Sequence, residues 1–192
     1  RLFLISAGNV QPYELRALSY PDANTIHCVE SPGQSWNAIT VGAYSKDVDI
    51  VSDEYQGFNP VASVGGISPY SSTSETWSNK WPIKPEVLFD GGNVATNGTD
   101  YLECPDLSLL TTNYRPLLKQ FSTIWATSSA TAQSAWFCAQ IMSEYPDVWP
   151  ETIRALMVHS ASWTDEMKRQ FCIDDTKTKG RRRLLRACGY GV

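Results

Sequence analysis

The sequence predicts an α/β fold in which a mostly parallel β-sheet is flanked by helices in three layers. Short apolar segments, each followed by glycine or a turn-forming residue, are typical of parallel strands that are buried on both faces. These segments are Leu2–Ser6, Ala38–Ala43 and Val87–Phe89, with Leu107–Thr112 as a weaker candidate. Helical segments alternate with the apolar ones or follow them, which is the order that a parallel sheet requires.

Four helices are predicted from their boundary signals. Pro12–Ser19 has proline at a permitted first-turn position and ends before a second proline. The segment 128–145 is the longest and stops at a proline. Pro150–Ala161 and Thr164–Phe171 open with Pro-Glu and Thr-Asp-Glu, which suit a helix N-terminus.

Three further segments carry composition signals. Asp47–Ser78 and Gly91–Asp100 are predicted to be loops, since the first is rich in Ser, Gly, Pro and Asp and the second contains the turn signals GGN and NGT. Asp90, just before Gly-Gly, is interpreted as a turn residue. The basic run 177–186 is interpreted as a solvated face near the edge of the domain.

The bulk composition describes one domain spanning residues 1–192. The net charge of −4 gives no reason to expect a nucleic-acid partner or an anionic membrane surface. No apolar run approaches the roughly 18–20 residues that cross a bilayer. The five cysteines are widely spaced without a CxxC pair, so we expect reduced thiols, no metal site and a cytoplasmic protein. No cofactor motif is present: the sequence lacks a P-loop and a GxGxxG after a strand.

The segment with the most specific chemistry is ATSSATAQSAWFCAQIM, residues 126–142. Nine of the ten residues 126–135 are Ala, Ser or Thr, so backbone and neighbours can approach closely. Ser128 stands at the start of the predicted helix, where free N–H groups and the macrodipole favour a developing negative charge. The pattern alone leaves two interpretations open, a nucleophile and a simple Ser/Thr helix cap.

This segment resembles the nucleophile motif of the subtilisin-like serine proteases (subtilases), Gly-Thr-Ser-x-Ala-x-Pro. Thr127, Ser128 and Ala130 match it, whereas Ala126 replaces the glycine and Ala132 replaces the proline. Other segments resemble subtilase landmarks in the family's order: FLISAGN (3–9), SWNAITVGAYS (35–45), PYSSTS (69–74), KPEVLFDGG (84–92), PETIRALMVHSA (150–161) and the short GYG (189–191). The resemblance implies the C-terminal portion of a subtilase catalytic domain and a partial subtilisin-like fold.

The resemblance also implies roles for individual residues in peptide-bond hydrolysis. Ser128 would attack the scissile carbonyl, and the Asn9 side chain with the Ser128 backbone N–H would hold the oxyanion. Thr127 would support this oxyanion hole. One wall of the pocket for the residue before the cut would consist of three small residues: Ser6, Ala7 and Gly8. Their alternative interpretation is a plain strand end and turn.

The triad partners of the nucleophile are the missing part. In subtilases the aspartate and histidine precede the oxyanion asparagine, and only eight residues precede Asn9. His27 and His159 are interpreted as a surface and a packed or capping residue, so neither is assigned as the base. We therefore expect the isolated chain to be inactive. We expect its partner to be the missing N-terminal half of the same domain, which would carry the aspartate and the histidine.

Two alternatives to an enzyme of this family stay open at this point. The first is a non-enzymatic subtilase-like scaffold that binds peptides or proteins, and the second is a serine amidase of another fold. The order of the landmarks argues against the amidase. We also expect the apolar segment Leu2–Ser6 to lie at an exposed sheet edge, through which the chain could associate with a second copy.

Overall fold

The computed structural model describes residues 1–172 and 177–192, except the side chains of residues 177 and 178. The helices are α1 (Asp22–Ile26), α2 (Ala126–Glu144), α3 (Pro150–Ser160), α4 (Asp165–Phe171) and α5 (Lys177–Cys188). The strands are β1 (Leu4–Ser6), β2 (Ile39–Tyr44), β3 (Asn59–Pro60), β4 (Val87–Asp90), β5 (Val94–Thr96), β6 (Tyr101–Glu103), β7 (Leu109–Thr112) and β8 (Phe121–Ile124). Short 3₁₀ helices cover Pro12–Arg16, Asp53–Tyr55 and Pro105–Leu107.

The central sheet is parallel, as the sequence predicts. Its strand order is β1-β2-β4, with Leu4 opposite Ile39 and Val41 opposite Val87. Successive strand residues point to opposite faces. Val87 therefore packs with α2 and α3, whereas Leu88 packs with α4 and α5. The sheet is thus the middle of three layers, which confirms the predicted fold class.

The two outer edges of this sheet differ. At the β4 edge, the Tyr190 backbone N–H donates to the Glu86 carbonyl (2.8 Å) and the Leu88 N–H donates to the Gly191 carbonyl (2.8 Å), so the end of the chain covers the edge. Gly191 has φ +111°, and a Cβ there would collide with the Ser162 carbonyl, which explains the glycine in GYG. The β1 edge has no further strand within the described residues.

Several predicted elements differ in kind or extent. The predicted helix Pro12–Ser19 is a shorter 3₁₀ segment, and Leu107–Thr112 contributes β7 to an antiparallel hairpin with β8. The predicted loops 47–78 and 91–100 contain β3 and β5 of a small antiparallel sheet, because two- and three-residue strands carry no readable periodicity.

The prediction of a solvated basic face at 177–186 is wrong in part. Lys177 and Thr178 have side chains outside the described residues, and the run belongs to helix α5. Leu184 is in the core. Arg186 is also buried, and its guanidinium donates to the carbonyl oxygens of Ser78, Trp81 and Pro82. Burial of an arginine is tolerated where its donors are satisfied in this way.

Candidate active site

Asn9 lies just beyond the carboxyl end of β1. The ladder continues one step past the strand, since the Ala7 N–H donates to the Val41 carbonyl (2.9 Å). Gly8 then takes φ +100°, a conformation that favours glycine, and turns the chain so that Asn9 faces the start of α2. Parallel strands commonly place functional side chains at this edge.

The side chain of Asn9 is held in one orientation by Thr127. Asn9 Oδ1 accepts hydrogen bonds from the Thr127 backbone N–H (3.0 Å) and from Thr127 Oγ1 (2.7 Å). Thr127 Oγ1 is also 3.3 Å from the Gly8 carbonyl oxygen, and Thr127 is fully buried. Because the oxygen of the Asn9 amide is engaged, its NH₂ group points away from Thr127 and has no acceptor among the described residues.

We call the two hydrogen bonds from Thr127 to Asn9 Oδ1 the Thr127 clamp. Ser128 is exposed and directly follows Thr127, in the N-terminal turn of α2. The N–H groups of the first turn of a helix have no intrahelical acceptor, so the Ser128 N–H is free to bind an anion. The Ala126 N–H donates to the Gly91 carbonyl (2.8 Å), which ties the helix start to the loop after β4. The structure therefore brings Asn9 to Thr127, 118 residues further along the chain, and so to the helix start that carries the adjacent Ser128.

Ala126 adopts a backbone conformation that glycine adopts more readily. Its φ is +68°, and it is the one non-glycine residue with positive φ in the described chain. For an L-residue this conformation costs about 1–2 kcal/mol. The family motif has glycine here, so the substitution by alanine keeps the turn at an energetic cost.

Ser6, Ala7 and Gly8 directly precede Asn9, and a carboxylate that the sequence does not predict here, that of Glu30, lies against Gly8. The Glu30 N–H donates to the Ala7 carbonyl (2.9 Å). A Cβ placed on Gly8 would lie 2.7 Å from Glu30 Cγ and 2.8 Å from Glu30 Cδ. Glu30 is exposed, and its carboxylate has no cationic partner among the described residues. A lone glutamate before Ser-Pro-Gly carries no motif that announces this position.

The structure provides no base for Ser128 among the described residues. His27 Nε2 lies 3.5 Å from Glu14 Oε1, and His159 is exposed in the last turn of α3. Neither histidine has a hydrogen bond to Ser128. Asp90, predicted as a turn residue, is the last residue of β4 opposite Tyr44, and only its side chain serves the turn that follows: its Oδ1 accepts from the Gly92 N–H (3.0 Å). Burial raises the pKa of its carboxyl.

Three further observations concern metal ions, membrane spans and cysteines. In residues 1–172 and 177–192, no group of three or more His, Cys, Asp and Glu side chains is arranged to hold a metal ion. No helix in the described part of the chain combines the length and apolar composition that crossing a bilayer requires. The five cysteines are unpaired: Cys104, Cys138 and Cys188 are buried, and Cys28 and Cys172 are exposed.

This fold and this helix-start serine, beside an asparagine clamped by a threonine, define a class of protein. The subtilase family model matches residues 1–191, and the chain belongs to that family of serine proteases. It is 32% identical over 165 residues to the serine protease AprX of Bacillus subtilis, covering 84% of this chain and 30% of that protein.

Two other similarities extend over nearly the whole chain. An uncharacterised protein of Sinorhizobium fredii, y4bN, is 23% identical over 210 aligned positions, which cover 100% of this chain and 46% of that protein. The crystal structure of a lanthipeptide protease aligns with a TM-score of 0.47 at 20% identity, covering 95% of this chain and 50% of the other. The chain thus spans about a third to a half of the length of the curated relatives it matches.

Proposed function

We propose that this chain is the nucleophile-bearing part of a serine endopeptidase. Ser128 Oγ attacks the scissile carbonyl carbon of a peptide or protein substrate and loses its proton to a base. The Asn9 side-chain NH₂ and the Ser128 backbone N–H stabilise the oxyanion, the amine leaves with a proton, and water then hydrolyses the acyl-enzyme. The observation that carries the proposal is the Thr127 clamp, which turns the Asn9 NH₂ group away from Thr127.

The base and its carboxylate partner are proposed to come from a segment outside this chain. Neither histidine of the chain contacts Ser128, and the matched relatives are at least twice as long. The exposed face of α2 also supports the packing of a further segment against it, because small and aromatic side chains are exposed there at helical spacing. This face consists of Ala132, Ala135, Trp136 and Ala139, with Trp136 64% exposed.

A subtilase-like scaffold that only binds peptides is the second candidate. A binding scaffold has no physical need for an asparagine NH₂ group and a helix-start serine side by side. The clamp of Asn9 by both donors of Thr127 therefore favours the enzyme.

The test is peptide cleavage by the protein expressed with the coding sequence that precedes Arg1. We expect Ser128→Ala to abolish cleavage, and Asn9→Ala to lower kcat more than it raises KM. In subtilisin, a member of this family, loss of one such donor costs about 10²–10³ in kcat. Ser143→Ala, on an exposed serine in the last turn of the same helix, is the matched control and should be silent. Cleavage that survives Ser128→Ala would refute the proposal.

A further inference from the structure

A groove of about 890 Å³ lies at the amino-terminal ends of the parallel strands, whereas Asn9 lies at their carboxyl ends. One side is formed by segments that precede the strands, with Trp36 before β2 and residues 79–83 before β4, and the other side is formed by α5. Asn9 follows the carboxyl end of the parallel strand β1. The groove and the proposed active site are therefore at opposite ends of the parallel strands.

The walls of this groove are held rigidly. Arg186 of α5 donates from Nη1 to the Pro82 carbonyl (2.5 Å) and from Nη2 to the carbonyls of Ser78 (3.1 Å) and Trp81 (3.0 Å). Trp81 also packs on Trp77 with ring centroids 5.7 Å apart. These contacts fix the segment opposite α5, although the Trp81 side chain is 53% exposed.

The groove combines exposed aromatic surface with positive charge. Trp36 is 64% exposed, and Lys80, Arg181 and Arg182 surround the same cavity. No Asp or Glu lines it among the described residues. Two of the neighbouring carboxylates are already paired, whereas Glu151, in the adjacent cavity that shares Trp36, has no ion pair among the described residues. Glu75 binds Arg183 (2.6 Å). Glu86 binds Lys84 (2.6 Å) and Arg154 (3.1 Å).

We propose that this groove binds an acidic segment of a partner polypeptide. Carboxylates of the segment pair with Arg181, Arg182 and Lys80, since guanidinium groups bind carboxylates well. An apolar side chain of the segment packs between Trp36 and Trp81. Peptide fits better than single-stranded nucleic acid, because three cations on a chain of net charge −4 are too few to follow a phosphate backbone. The site is independent of Ser128 and of the proposed catalysis.

The experiment measures fluorescence anisotropy of a fluorescein-labelled probe peptide, Glu-Asp-Leu-Glu-Asp-Phe-Glu-Glu, with the chain. We expect salt-sensitive binding that falls about tenfold in the double variant Arg181→Gln/Arg182→Gln, since two exposed charge pairs together contribute on the order of 1.4 kcal/mol. The double variant Arg115→Gln/Lys119→Gln removes two exposed charges from the β7–β8 turn and is the matched control. It should bind the probe like the unaltered chain.

Three results would overturn the proposal. The first is no binding, or equal binding of the same peptide with Gln and Asn in place of Glu and Asp. The second is an equal loss in the control variant, which shows attraction by overall charge only. The third is a ten-nucleotide oligothymidylate that binds as tightly as the peptide and is lost in the same variant, which assigns the groove to nucleic acid.

Discussion

At the scale of single residues, the site depends on a few backbone and side-chain positions whose chemistry is specific. Thr127 uses both of its donors on one oxygen of Asn9, so the orientation of the Asn9 amide is set before any substrate arrives. Preorganised donors need no rearrangement when charge develops in the transition state. Ala126, the residue before Thr127, is the one non-glycine residue with positive φ in the described chain.

Replacement of Ala126 by glycine should stabilise the protein. Its φ of +68° is unfavourable for alanine and open to glycine. Glycine also gives the unfolded chain more conformational freedom, which offsets part of this gain. We therefore expect the free energy of unfolding to rise by about 1 kcal/mol, or Tm by about 2–4 °C for a chain of this size. Ala139→Gly, at an exposed site within the same helix, should instead destabilise it by about 1 kcal/mol. Thermal unfolding showing the same sign for both variants would contradict this explanation.

Glu30 should set the charge preference for the substrate residue before the cut. Its side chain lies on Gly8, which the sequence predicts to line that pocket together with Ser6 and Ala7, and it has no cationic partner among the described residues. We expect kcat/KM to favour Lys or Arg over Gln at that substrate position, and Glu30→Gln to reduce the preference about fivefold, on the order of 1 kcal/mol for an exposed pair. Glu54→Gln, an exposed carboxylate in another loop, should leave it unchanged. An unaltered Lys/Gln ratio in Glu30→Gln would remove Glu30 from the pocket.

At the scale of secondary-structure elements, one edge of the parallel sheet is covered by other backbone and the other edge is not. The β4 edge is covered by residues 190 and 191, whereas β1 ends the sheet on the other side within the described chain. In a parallel ladder alternate residues bond on opposite sides. Phe3 and Ala7 bond toward β2, so the backbone groups of Leu4 and Ser6 point toward the open edge.

The chain by itself should associate through this β1 edge. Unpaired strand groups and the 57% exposed Phe3 favour pairing with a second copy. Sedimentation at micromolar concentration should show dimers or larger species, and Phe3→Lys should shift them toward monomer. Val51→Lys, which places the same charge on an exposed loop residue, serves as the control. A monomeric unaltered chain would show that the edge is protected in another way.

The sequence predicts elements well where a periodic or bounded signal exists. The three strands of the parallel sheet and the helices α2, α3 and α4 are confirmed near their predicted bounds. The sequence does not predict the burial within helix α5, because a run of arginines indicates solvent exposure, whereas Arg186 is held by carbonyl groups about a hundred residues away. Glu30 was missed for the same reason, since only the folded chain places it against Gly8.

At the scale of the whole molecule, the chain has a three-layer arrangement around its sheet, and neither of its histidines contacts Ser128. The family match covers residues 1–191, and Ser128 lies in the first turn of α2. The base cannot be assigned to either histidine, since neither contacts Ser128. A serine hydroxyl without a base is a poor nucleophile at neutral pH.

Labelling with a fluorophosphonate probe, followed by mass spectrometry of the modified peptide, tests the central claim most directly. We expect the protein expressed with its preceding coding sequence to be labelled on Ser128 within minutes, and Ser128→Ala to be unlabelled. Residues 1–192 alone should react far more slowly. Rapid labelling of a different serine in the longer protein, or stoichiometric labelling of Ser128 in residues 1–192 alone within minutes, would contradict the account.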